Sequence, residues 1–229
     1  MTRKRAGNRL TSAERKQPNR ERRDRMLIVC EGKATEPNYF HGLLAFHSIR
    51  SSVVDVHVVG TGRNTLGLVT FAQEVYKASR KTGEPFDEVW CVFDCDSFPA
   101  DDFDNAIAKC ESLPHFSVAW SNESFELWFL LHLQDLQTSP VRGGHGRAQE
   151  YYIEQLDDLL ALLGVTKYSK SAPDMYALLL PHRSLAASRA AKLLAKCDPA
   201  TPCHEQKPAT TIPLLVTRLL RYAPENQPS

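Results

Sequence analysis

The run Glu88-Val89-Trp90-Cys91-Val92-Phe93-Asp94-Cys95-Asp96 constrains the fold more than any other stretch of the chain. Five consecutive apolar side chains, Val89 to Phe93, end abruptly in two carboxylates one residue apart. A short apolar run without alternation suits a strand buried on both faces of a parallel sheet. In extended backbone, residues i and i+2 point to the same side. Asp94 and Asp96 are therefore expected to aim together from the strand's C-terminal end, where open α/β sheets gather their sites. Two adjacent carboxylates repel unless a cation lies between them, and hard Mg²⁺ prefers oxygen ligands. The plainer alternative is an acidic turn, since Asp is common in turns.

A second apolar run, Met26 to Cys30, is followed by Glu31-Gly32-Lys33. Glu31 is expected just past a first strand. Gly32 permits a tight turn and close approach of a ligand to the backbone. Lys33 can meet a phosphate as a point charge. Taken singly, Glu31 reads equally as a solvated turn residue and Lys33 as a surface lysine. Thr35-Glu36-Pro37-Asn38 then marks a helix start, with Tyr39, Phe40, Leu43 and Leu44 on the buried face.

Strands and helices alternate through the body. Strands are expected at 26–30, 53–59, 88–93 and 116–120. Helices are expected at 37–49, 65–80 (packing through Leu66, Val69, Phe71, Val75 and Tyr76) and 101–112 (Phe103, Ile107 and Cys110 inward). This alternation implies βαβ units, right-handed crossovers and a parallel sheet flanked by helices. The loops after the strands, at Glu31, Gly60, Asp94 and Ser121, should then share one rim. In the loop at 60–64, Arg63 is a candidate phosphate contact, although a plain connecting turn is the simpler reading. Ser121 or Asn122 is expected to cap a further helix, apolar on more than one face, that contains Glu126 and ends near His132. His132 reads first as a satisfied core residue and second as a base. The C-terminal third reads as helical: 151–163, 175–195 interrupted at Pro181, and 210–222. Lys167 to Lys170 forms a basic patch in which Lys170 is a candidate phosphate contact. Cys197, Cys203 and His204 lack C-x-x-C spacing and an evident fourth ligand, so zinc is not expected there.

Charge is unevenly placed. Residues 1–25 hold ten Lys/Arg and three acids, a net +7, while the remainder carries −6. A basic arm ahead of an acidic body suggests contact with nucleic-acid phosphates, Arg22 and Arg23 included. A solvated, disordered tail is the alternative. The chain has no run of eighteen apolar residues, so a membrane span is not expected. The N-terminus lacks the apolar segment of a secretory signal. Six cysteines in 229 residues do not require a disulfide framework, and a reducing cytoplasm is expected. The expected organisation is a basic arm at 1–25, an α/β core at 26–138 and a helical extension at 139–229, joined through a glycine-rich basic linker at 139–147.

One Glu after a first strand, followed by Asp-x-Asp after a third, resembles the Toprim domain of primases, topoisomerases and OLD-family nucleases. The phrase Cys30-Glu31-Gly32-Lys33-Ala34-Thr35-Glu36-Pro37-Asn38-Tyr39-Phe40 narrows the match. With Phe93-Asp94-Cys95-Asp96 and Ser121-Asn122-Glu123-Ser124-Phe125-Glu126-Leu127-Trp128, it is similar to the RloB family, which is bacterial and associated with phage defence. The resemblance implies a Toprim-like α/β fold and a Mg²⁺-dependent (or Mn²⁺-dependent) nuclease. Glu31, Asp94 and Asp96 would hold the metal, Glu126 would bind metal or position water, and Lys33, Arg63 and Lys170 would meet phosphate. Departures occur at Glu36, spaced differently from the second acid of a primase-like Toprim motif, and at Cys95, where related sequences often carry a larger polar or basic residue. The alternative is a non-catalytic sensor or adaptor that binds nucleic acid, DNA or RNA, or a partner ATPase. The sequence leaves a homo-oligomer open.

Overall fold

The computed structural model describes residues 23–51, 53–95, 100–136 and 147–224. The arm through Arg22, Asp96, the core–extension boundary at 138–139 and most of the glycine-rich linker lie outside these residues.

Four strands run parallel: β1 (Asp24–Cys30), β2 (Val54–Gly60), β3 (Glu88–Asp94) and β4 (Phe116–Asn122). A two-residue strand, β5 (Ala209–Thr210), pairs antiparallel with β4. The order is β2-β1-β3-β4-β5. Central β1 and β3 are apolar without alternation because both faces are covered. Met26, Ile28, Cys30 and Val92 face one core, and Leu27, Val29, Cys91 and Phe93 face the other.

The second core is closed by α2 (Thr65–Lys81) and α3 (Ala100–Glu111). The side chain of Asn64 caps α2 by accepting from the Gly67 amide at 3.1 Å, satisfying one of the unpaired amides of the first turn. Phe103, Ile107 and Cys110 point inward from α3, as the sequence predicts. The first core is closed by α1 (Thr35–Phe46), α4 (Glu126–Leu133), α5 (Arg147–Ala161), α6 (Met175–Leu179), α7 (Arg183–Leu194) and α8 (Ile212–Leu220). Pro181 sits in a 3₁₀ turn, Leu180–His182, that separates α6 from α7. Its missing N–H breaks the helix where expected. Leu127 to Leu131 of α4 are all buried, which explains why that helix is apolar all round. The architecture is thus α/β, a mostly parallel sheet with helices on both faces and further helices at the C-terminal end.

Four expectations change. Strand β4 continues through Asn122, because Ser121 pairs with Asp94 on one side and Thr210 on the other. Neither Ser121 nor Asn122 caps α4; the Asn122 side-chain amide instead donates to the carbonyls of Cys203 (2.9 Å) and His204 (2.8 Å). Strand β5, at the start of the expected last helix, is too short to leave a pattern. Strand β1 begins at Asp24, so Arg25 belongs to the sheet and not to the arm. Its Nε donates to Asp55 at 3.0 Å and its guanidinium lies 4.6 Å from the Phe86 ring centre.

Strand β1 has β2 on one side and β3 on the other, so the chain reverses its direction of growth there. A crevice opens at the carboxyl ends of strands flanking such a switch point. Among the described residues no helix is long and apolar enough to cross a membrane.

Candidate functional site

The parallel register sets Cys30 against Val92, so the residues that leave β1 and end β3 meet. The Glu31 amide donates to the Val92 carbonyl at 2.9 Å. The Glu31 carboxylate turns across and accepts from the Asp94 amide at 3.2 Å. Asp94 Oδ2 accepts from the Phe125 amide at 2.9 Å, tying the end of β3 to the start of α4. Asp94 Oδ1 is buried without a hydrogen-bond partner. Two acids separated by 63 residues in sequence are therefore neighbours.

Glu36, which sequence reasoning leaves without a role, joins them. It lies in the first turn of α1, is 5% exposed, and folds back so that Oε1 accepts from the Gly32 amide at 3.0 Å. A Cβ on Gly32 would stand 2.2 Å from Glu36 Oε2, so the glycine makes room for the returning carboxylate. The signal was present: a glycine just before a helix start, with an acid four residues on. Glu126 opens α4 and is 2% exposed. It accepts from Tyr168 Oη at 3.1 Å and Gln149 Nε2 at 3.2 Å, and Lys170 Nζ stands 3.8 Å from Oε1.

These groups line one pocket of about 240 Å³: Glu31, Glu36, Asp94 and Glu126, with Lys33 and Lys170 on its walls. Burial, then the charges of Glu36, Glu31 and Glu126, hold the Asp94 carboxyl well above the usual carboxylate range. Burial, with the Glu126 charge adding to it, also raises Glu36. The Cys30 thiol beneath them is pushed up by burial and by the charges of Glu36 and Asp94.

Lys33 is held by the loop after β2. A Cβ on Gly62, at φ +64°, would meet Lys33 Cε at 2.4 Å. A Cβ on Gly60 would meet the Gly32 carbonyl at 2.6 Å and Lys33 Cα at 2.8 Å. Arg63 shares this rim but is exposed and does not line the pocket; its guanidinium lies 5.0 Å from the Phe71 ring centre. Lys170 arrives from the C-terminal region, its carbonyl accepting from Thr35 Oγ1 at 3.3 Å. Arg23 precedes β1 and donates to the Ser51 carbonyl at the opposite edge of the sheet from the acids.

His132 is a core residue. Its Nδ1 lies 2.8 Å from the Trp128 carbonyl, and burial lowers its pKa to about 4. His204 is engaged by Asp104, with Nδ1 to Oδ2 at 2.5 Å and its amide to Oδ1 at 3.0 Å.

Among the described residues, no group of three or more His, Cys, Asp or Glu side chains stands in an arrangement that could hold a metal ion. Glu31, Glu36 and Asp94 are each turned onto a backbone amide. The chemistry of the donors still fits a hard divalent cation: every one is oxygen, Asp94 Oδ1 has no partner, and the acids' repulsion falls on Asp94.

A family model described as RloB-like protein matches residues 26–219. No curated protein and no solved structure matches the chain.

Proposed function

We propose that this chain, which belongs to the RloB-like family, is a Mg²⁺-dependent or Mn²⁺-dependent nuclease acting as an effector in bacterial phage defence. The observation that carries this reading is the meeting of Glu31 and Asp94 at the switch point, in a pocket also lined by Lys33 and Lys170. Glu31 and Asp94 would hold the metal, with Asp96 as third ligand on the strength of its spacing in the sequence. When bound, the ion would neutralise phosphate charge and lower the pKa of a water.

The chain's own groups have separable tasks. The acids hold negative charge in a half-enclosed site, and alone they would repel a phosphodiester. Lys33 and Lys170, which line the same pocket, would offset that repulsion and contact phosphate oxygens in the transition state. Arg63 extends positive charge along the rim, and the basic arm, Arg22 included, would hold nucleic-acid backbone by charge. The six free cysteines support a cytoplasmic setting.

The test is incubation of the purified full chain with labelled single-stranded DNA, duplex DNA and bulk tRNA, each with Mg²⁺ or Mn²⁺. Cleavage of at least one, lost about 100-fold or more in Asp94→Asn with an unchanged circular dichroism spectrum, is the expected result. Binding without turnover, untouched by Asp94→Asn, would instead favour a sensor or adaptor for nucleic acid or a partner ATPase.

A further inference from the structure

Glu126 differs from the other acids of the pocket. Glu31, Glu36 and Asp94 meet backbone amides of the α/β core. Both Glu126 oxygens are met by side chains from the C-terminal region: Oε1 by Tyr168 and Lys170, Oε2 by Gln149. The segment that carries Tyr168 and Lys170 is itself tied down on two sides. The Tyr168 amide donates to Asp157 of α5 at 2.6 Å. On the other side, Thr35 Oγ1 and Asn38 Nδ2 of α1 donate to the carbonyls of Lys170 and Ser171 at 3.3 and 3.0 Å. The Tyr168 ring packs edge-on to Phe129, 6.1 Å between centres, and its buried hydroxyl is held far above the range in which it would ionise near neutrality, burial being the first cause. It therefore acts as a hydrogen-bond donor.

We propose that Tyr168 is a positioning residue that, with Gln149, fixes the Glu126 carboxylate as the counter-ion presenting the Lys170 ammonium to a phosphate group bound in the pocket. This deepens the hydrolytic reading and rests on it for the identity of the ligand, a phosphodiester. Glu126 is thereby assigned to Lys170 and not to the metal. The Lys170 side chain is 52% exposed while its partner is 2% exposed, so the pair leaves the cation free to reach ligand and anchors only its carboxylate side. Gln149 and Lys170 of the helical region then line the pocket beside residues of the α/β core, which makes the site composite.

A double-mutant cycle separates this role from a structural one. Tyr168→Phe, Lys170→Ala and the double variant are compared with the unaltered full chain in three assays. The first is Mn²⁺ affinity by electron paramagnetic resonance. The second is affinity for a fluorescein-labelled 20-nucleotide single-stranded DNA, and its RNA counterpart, with Ca²⁺ in place of Mg²⁺. The third is Mg²⁺-dependent cleavage of both. The expected results are Mn²⁺ affinity changed less than about two-fold, with oligonucleotide affinity and kcat/KM each reduced about ten-fold in Tyr168→Phe. That factor is the loss of one hydrogen bond to a charged group. No further loss is expected when Tyr168→Phe is added to Lys170→Ala.

Independent, multiplying effects of the two substitutions would overturn the proposal, as would loss of Mn²⁺ binding in Tyr168→Phe. If the unaltered chain cleaves neither oligonucleotide, the hydrolytic reading fails on them, and the cycle is read in the binding assay alone. Equal affinity of all four proteins there, or no binding by any, would overturn the clamp separately. Melting temperature is recorded throughout, and Gln149→Ala, which frees the other Glu126 oxygen, replaces Tyr168→Phe if the latter unfolds.

Discussion

Asp94 has one carboxylate oxygen on the Phe125 amide and the other buried without a partner, and it feels the charge of Glu31, Glu36 and Glu126. Its position suits an ion better than it suits the folded chain without one. Replacing it with Asn keeps an acceptor for the Phe125 amide and removes one charge. In chelator, Asp94→Asn should therefore melt a few degrees higher than the unaltered chain, about 1 kcal/mol, while losing divalent-ion affinity. A lower melting temperature by scanning calorimetry would contradict this. The same groups set a pH dependence. A carboxyl whose folded pKa lies above its unfolded value of ~4 binds its proton more tightly when folded. Its contribution is complete below that value and is lost as pH rises through the folded pKa. Burial raises both Asp94 and Glu36, so metal-free protein should lose stability as pH rises above about 4. The loss should be smaller in Asp94→Asn, and Mn²⁺ should reverse it. Parallel melting-temperature profiles for the two proteins across that range would count against the cluster as its source.

At the scale of elements, the loops after β1 and β2 are interlocked. Gly60 faces backbone atoms of Gly32 and Lys33, not the flexible end of a side chain. Gly60→Ala should cost about 1–3 kcal/mol and weaken both ion and nucleic-acid binding, because the displaced segment carries Glu31 and Lys33. A normal denaturation midpoint for Gly60→Ala would show that the two loops do not meet in this way. The strands were legible for a simple reason: β1 and β3 are covered on both faces, and five-residue apolar runs have few other uses. The inward residues of α3 and the break at Pro181 were legible through periodicity and a missing N–H. The start of α4 was not. Ser121 and Asn122 are good capping residues locally, but pairing of β4 with β3 and β5 holds them in the sheet, a tertiary interaction that no local pattern encodes. Glu36 is not recognisable by its spacing from a family motif, because its place depends on the room left by Gly32. Tyr168 and Gln149 are hidden for another reason: their partner Glu126 lies 42 and 23 residues away in sequence.

Over the whole molecule, the sheet divides labour. Glu31, Asp94 and the Lys33 loop occupy the carboxyl edge, while Arg23 and Arg25 occupy the opposite edge with Ser51, Asp55 and Glu84. Arg25 is tied to Asp55 there, which makes it a structural cation of the sheet. The remaining arm charge belongs to residues 1–22, set against a body of net negative charge. Deleting those residues should weaken nucleic-acid binding uniformly across sequences and flatten its dependence on salt, by roughly one unit of log–log slope for each phosphate the arm neutralises. An unchanged slope in fluorescence anisotropy between about 50 and 200 mM salt, over which the Debye length roughly halves, would remove the arm from the binding surface.

The convergence of Glu31 and Asp94 on one divalent ion is tested most directly by Mn²⁺ titration of the full chain, followed by electron paramagnetic resonance, beside Glu31→Gln and Asp94→Asn. Saturable binding by the unaltered chain, weakened at least about ten-fold in each variant, is the predicted outcome. Binding of equal strength in all three proteins, or none in the unaltered chain, would contradict it.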